Sequence, residues 1–182
     1  MKKVWSFIAA AVLLTGGLGV VSAPANGATV SCSVDWGSLT KTQQHSTTAA
    51  LTNVRTGHHD CFDRLVIDIS GKGAGYSVSY VSAVHQEGSG LVVPLRGGAF
   101  LNVVLRAPAY TSTGASSCNP INRKELTSVL GYQTFRQVAF AGSFEGQTTL
   151  GLGVRARLPF RVFTLDGPGA GSRVVIDVAH RW

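Results

Sequence analysis

The chain has 182 residues, with 16 Lys and Arg against 9 Asp and Glu for a formal charge of +7. That excess is modest, and its basic residues are not interleaved with exposed aromatics in a recognisable module, which excludes nucleic acid as the partner. Three cysteines with no Cys-x-x-Cys or Cys/His spacing argue against a metal site, and neither metal nor other cofactor is expected.

Met1-Lys2-Lys3 followed by the apolar run Val4 to Val21 and Ser22-Ala23-Pro24-Ala25-Asn26-Gly27-Ala28 reads as a secretory signal peptide over residues 1–25, cleaved after Ala25 or Ala28. Pro24 disfavours cleavage after Ala23. An uncleaved anchor is the alternative, and Gly16, Gly17 and Gly19 in a run barely long enough to span argue against it. No other stretch reaches membrane length, so no transmembrane span is expected in the mature chain. Removing the signal leaves about 155 residues, the size of one domain with one core. Lys2 and Lys3 leave with it, so 14 basic residues then face 9 acidic ones, at +5, and eleven of the fourteen are Arg, suited to planar contacts with carboxylate or phosphate.

Residues 29–50, rich in Ser, Thr and Gln around Trp36, read as an extended N-terminal arm before a domain over 51–182. A Cys32–Cys61 disulfide would pin that arm and leave Cys118 free; Cys61–Cys118 is the other pairing left open. Leu51–Thr56, Asp63–Ser70 and Tyr76–Val84 carry strand patterns. Leu91–Leu95 and Ala99–Arg106 flank Arg96-Gly97-Gly98 as a hairpin would. Asn122 as cap, Glu125 three residues on and the stripe Leu126, Val129, Leu130 predict one short helix stopped by Gly131. Phe135–Ala141, Thr148–Gly153, Val154–Leu165 and Arg173–Ala179 return to strand, with Pro159 marking an edge or a bulge. The expected fold class is all-β, a β-sandwich of roughly nine short strands with one short helix.

One pattern occurs twice: Asp63-Arg-Leu-Val-Ile-Asp-Ile-Ser returns as Ser172-Arg-Val-Val-Ile-Asp-Val-Ala. If these two strands pair antiparallel in the symmetric register, Arg64 lies opposite Asp177 and Asp68 opposite Arg173, and two ion pairs set the register. Within Val154–Leu165, alternation turns Val154, Ala156, Leu158, Phe160 and Val162 inward, so Arg155, Arg157 and Arg161 form an anion-recognition row on the other side. Arg96 and Glu145 are further candidate contacts. His58-His59-Asp60 invites a metal or acid–base role, but neighbours on an extended chain point apart; a polar loop whose Asp and His cap backbone groups fits better. Asp60 and Asp63 lack a third partner, and His85 and His180 have none visible in sequence. Without a Gly-x-Ser-x-Gly elbow, a P-loop or a dinucleotide fingerprint, no catalytic residue is assigned.

Phe62-Asp63-Arg64-Leu65-Val66-Ile67-Asp68 and Gly167-Pro168…Ser172-Arg173-Val174-Val175-Ile176-Asp177-Val178 resemble the opening and closing signatures of AMIN domains. Arg55-Thr-Gly-His-His-Asp-Cys-Phe-Asp-Arg64, Val93-Pro-Leu-Arg-Gly-Gly-Ala99 and Phe144-Glu-Gly…Gly151-Leu-Gly-Val-Arg155 resemble the AMIN-like domain of exported actinobacterial proteins, over about Leu51 to Val178. The resemblance implies a β-sandwich that directs partners to the cell envelope through peptidoglycan, and it brings no catalytic residues. The expected function is an exported, non-catalytic, cell-wall-associated module that binds peptidoglycan or another anionic wall polymer. The alternative is a secreted protein–protein adaptor that uses a sheet edge or Cys118 to hold an envelope protein.

Overall fold

The computed structural model describes residues 31–182, so the expected signal peptide and cleavage sites lie outside the described residues. Among the described residues eleven strands follow one another: β1 (Lys41–Gln43), β2 (Leu51–His58), β3 (Phe62–Ile69), β4 (Tyr76–Val81), β5 (Val84–His85), β6 (Val92–Val93), β7 (Ala99–Leu105), β8 (Phe135–Phe144), β9 (Gln147–Val154), β10 (Phe160–Asp166) and β11 (Ser172–Ala179). A five-stranded sheet runs β1-β4-β7-β9-β8, a four-stranded sheet runs β10-β11-β3-β2, and β5 pairs with β6. All pairings are antiparallel.

Period-two alternation builds the core between the two larger sheets. Leu65, Ile67 and Ile69 of β3 and Val174, Ile176 and Val178 of β11 meet Val78 of β4, Leu101, Val103 and Leu105 of β7, and Leu150, Leu152 and Val154 of β9 in one buried cluster. Two tyrosines of β4 stitch the sheets across it. The Tyr76 hydroxyl donates to the Val162 carbonyl at 3.1 Å, and the Tyr80 hydroxyl donates to the Leu158 carbonyl at 2.9 Å while accepting from the Leu158 N–H. The echoed strands are the two central members of the four-stranded sheet and pair antiparallel, with Arg64 opposite Asp177 and Asp68 opposite Arg173.

The expected helix does not form, and there is none among the described residues. Its backbone groups are taken by tertiary partners: Leu126 N–H donates to the Val138 carbonyl, and the Arg123 carbonyl accepts from Phe140 N–H, so the segment lies along the edge of β8. Asn122 Oδ1 accepts from Lys124 N–H in a local turn, while Glu125, needed for the capping box, pairs with Arg96 instead. Val129 is buried, but Leu130, expected on the same stripe, is exposed.

Two further expectations change. The stretch Leu91–Leu95 does not form a hairpin with β7, since β6 pairs back with β5. The stretch Val154–Leu165 is not one strand: β9 stops at Val154, residues 155–159 bend, and β10 starts after Pro159 as an edge strand. The arm, for its part, contributes to both sheets. Its disulfide joins Cys32 to Cys61 just before β3, its Gly37 carbonyl accepts from Phe160 N–H at the β10 edge, and its residues 41–43 add β1 to β4.

Candidate ligand-binding site

The outer face of the four-stranded sheet is organised in cross-strand rows fixed by register. Gly57, Arg64, Asp177 and Arg161 form one row across β2, β3, β11 and β10; Arg55, Val66, Val175 and Phe163 form the next; Asn53, Asp68, Arg173 and Leu165 form the third. At the centre of the first row the Asp177 side chain is fully buried and takes three charge-assisted bonds. Arg64 Nε and Nη2 donate to its two oxygens at 2.6 and 2.9 Å, and Arg161 Nε donates to Oδ2 at 2.8 Å. The hydrogen bonds from Arg64 to Asp177 push the Arg64 pKa above its ordinary value. Two guanidiniums thus share one carboxylate, and the row keeps one net positive charge.

Aromatic rings hold those guanidiniums in place. Arg161 lies 4.3 Å over the Trp36 ring, 5.5 Å from Phe62 and 5.3 Å from Phe163; Arg64 lies 5.1 Å from Phe62 and 5.6 Å from Phe163. Trp36 meets Phe62 edge to face at 5.7 Å, so the arm delivers a third ring to a pair supplied by β3 and β10. The Arg161 side chain is 41% exposed, and among the described residues its Nη groups have no protein hydrogen-bond partner. Chemically the patch offers a fixed, bidentate-capable cation beside three ring faces, which suits an anionic ligand with apolar or sugar faces.

The other arginines of the predicted row go elsewhere, because the break at 155–159 ends the alternation that aligned them. Arg155 donates to the His180 carbonyl at 2.6 Å, at the end of the sandwich. Arg157 lies over Tyr80 at 5.1 Å and donates to the Ser38 side chain and carbonyl, both at 3.2 Å. Trp182 Nε1 in turn donates to the Arg157 carbonyl. Arg96 is committed to Glu125 and to the Arg136 carbonyl. Glu145 occupies the β8–β9 turn with φ 48° and is exposed, in the five-stranded sheet and not on the outer face of the four-stranded one. Only one of the two anticipated echo-strand ion pairs forms, because Arg55 of β2 takes Asp68 through two bonds of 2.9 Å while Arg173 donates to the Asp166 carbonyl.

Two open cavities, of about 390 and 470 Å³, flank Arg123 and Phe140 at the β8 edge of the five-stranded sheet; Cys118 lines the first and Glu87 the second. Burial pushes the Cys118 thiol up, away from the reactive thiolate. Among the described residues, His58, Asp63 and His180 bring one ligand atom each within 4.8 Å of one another, a set split between positions 58 and 180 that no sequence spacing reveals. Trp36 and Phe163 were also missed as site residues: one reads as arm and the other as a strand residue until the fold overlays them.

Residues 49–180 match the family model described as AMIN-like domain. No curated protein and no solved structure matches the chain.

Proposed function

Because the chain belongs to the AMIN-like family, we propose that it is an exported, non-catalytic cell-envelope module that binds peptidoglycan or another anionic wall polymer on the outer face of its four-stranded sheet. The single observation behind this reading is the Arg161 guanidinium, anchored through Nε to buried Asp177, stacked on Trp36, and carrying half-exposed Nη donors that no other described residue takes. A wall polymer presents carboxylates on its peptides beside sugar rings, which matches a guanidinium set among Trp36, Phe62 and Phe163. Family membership supports an envelope-related, non-catalytic role, and the Cys32–Cys61 disulfide is in keeping with an oxidising, extracytoplasmic setting. The adaptor reading loses support at Cys118, whose thiol burial makes less acidic, and at the β8 edge, which residues 123–126 cover.

Co-sedimentation with purified sacculi tests the proposal. The protein is expected to pellet with sacculi, and high salt is expected to release it because an exposed charge dominates the contact. Arg161→Ala should lose retention while keeping its circular dichroism spectrum, whereas Arg155→Ala, whose guanidinium is occupied at the sandwich end, should retain it. Failure of the wild type to pellet, or equal retention by Arg161→Ala, would sink the site.

A further inference from the structure

At the end of the sandwich where β2, β3, β8 and β11 converge, a second constellation is built from residues that the arginine face does not use. His180, just beyond β11, is buried. Its Nδ1 lies 3.1 Å from the Asp60 carbonyl. A carbonyl only accepts, so Nδ1 carries the hydrogen, and in the neutral ring Nε2 holds a lone pair. That lone pair faces Asp63 Oδ1 at 3.0 Å, an oxygen of a fully buried carboxylate. Asp63 Oδ2 is already saturated by the backbone N–H groups of Thr134 at 2.6 Å and Phe135 at 3.0 Å. Two acceptors confronting each other in a dry site need a cation to join them. A proton is one possibility and a metal ion the other.

The third residue favours the metal. His58 closes β2 directly opposite Asp63 in the register, and its ring sits 5.7 Å from that of His180. With one ligand atom each, the three residues lie within 4.8 Å of one another. Zinc bonds of about 2.0–2.2 Å to nitrogen and oxygen in tetrahedral array require donor atoms about 3.3 Å apart. The Asp63–His180 separation is already close to that, and the exposed His58 ring is free to close the remainder. The surroundings also match what metal ligands need: the second nitrogen of His180 is tied to a backbone carbonyl, and the second oxygen of Asp63 is tied to two amides. Two imidazoles and one carboxylate suit a borderline divalent ion such as zinc over calcium or magnesium, which prefer oxygen-only shells.

We propose that His58, Asp63 and His180 form a zinc-class divalent metal site at the end of the sandwich, with a solvent-facing coordination position on the side of His58. The site ties the β2–β3 corner to the end of β11, and the open position accepts water or an anionic ligand group. It is independent of the arginine face, and neither proposal fails with the other.

The test is zinc titration of the chelator-stripped protein, disulfide intact, against a chromophoric competitor. One equivalent should bind, and His58→Ala should weaken it by about tenfold or more, while His85→Ala leaves affinity unchanged. Because His58 is exposed, the metal-free His58→Ala variant should melt with the wild type. Imidazole nitrogen resonances give a readout that needs no variant: those of His58 and His180 should shift with one equivalent of zinc while those of His85 stay still. No stoichiometric binding, undiminished affinity in His58→Ala, or a His180 ring that remains doubly protonated in the presence of zinc would each overturn the proposal and leave a proton-bridged pair.

Discussion

The two sheets of this sandwich finish their outer faces in opposite ways. The five-stranded sheet is covered by its own chain: Val84 and Val93 of the β5–β6 hairpin pack on Ala139 and Ala141 of β8, with Leu95 and Phe100 alongside. Glycines make that approach possible. A Cβ on Gly151 would lie 2.8 Å from Leu95, and one on Gly153 would lie 2.0 Å from the Arg96 carbonyl. Among the described residues the four-stranded sheet has no such hairpin over it. Yet Val66 and Val175 on its outer face are as buried as core residues, because guanidinium stems and aromatic rings lie above them. The difference teaches where a ligand can act: a face closed by backbone is a structural layer, whereas a face closed by half-exposed arginines and rings keeps its chemistry available.

Substitutions can break this comparison in descending order of expected effect. Replacing Cys32 and Cys61 by Ser opens a link between residues 29 apart and should cost about 3.5 kcal/mol in denaturant unfolding. Tryptophan fluorescence should also change as Trp36 loosens from Arg161; an unaltered spectrum would mean that the arm is held without the disulfide. Asp177→Ala leaves Arg64 and Arg161 facing each other without their shared carboxylate, and a loss of about 3 kcal/mol is expected by thermal melting. A loss under about 1 kcal/mol would show that the row behaves as ordinary surface charge.

On the covered face, Gly153→Ala forces the Arg96 backbone away and should destabilise by about 2 kcal/mol. If it does not, the Arg96–Gly98 segment is more loosely seated than its contacts with Val154 and Arg155 imply. The smallest effect belongs to Leu165→Thr, on the open face at the end of β10. Being exposed, it should stay within about 0.5 kcal/mol of wild type. A larger loss would reveal that the open face is covered after all.

A further contrast concerns pH. Burial raises the pKa of Tyr76 and Tyr80 above the ordinary tyrosine value of 10.0, burial being the first cause in both, with Arg157 and the Leu158 hydrogen bond acting the other way on Tyr80. A raised folded pKa means that the unfolded chain releases its proton first. Stability is therefore whole below pH 10 and falls as pH climbs through the folded values. Tyr76→Phe should flatten part of that alkaline loss in melts taken from pH 9 upward, an effect smaller than any core substitution.

The sequence by itself determined the periodicity, and with it the all-β class, the inward residues of β3 and β11 and the match between their Arg and Asp positions. Such local alternation depends only on the two-residue repeat of an extended chain. Side-chain partners are another matter, since they depend on which strands become neighbours. Asp68 reached Arg55 and not Arg173 because β2 lies on its other side, and the residues from Asn122 to Gly131 gave up a helix because the β8 edge offered them backbone partners. The row Arg155, Arg157, Arg161 dissolved at a bend around Pro159, while Trp36, Phe62, Arg64, Arg161 and Phe163 came together from three separate segments. His58, Asp63 and His180 converged from both ends of the domain. Tertiary structure alone decided these meetings, because local sequence carries no information about contacts made when the last strand, β11, folds back against β3.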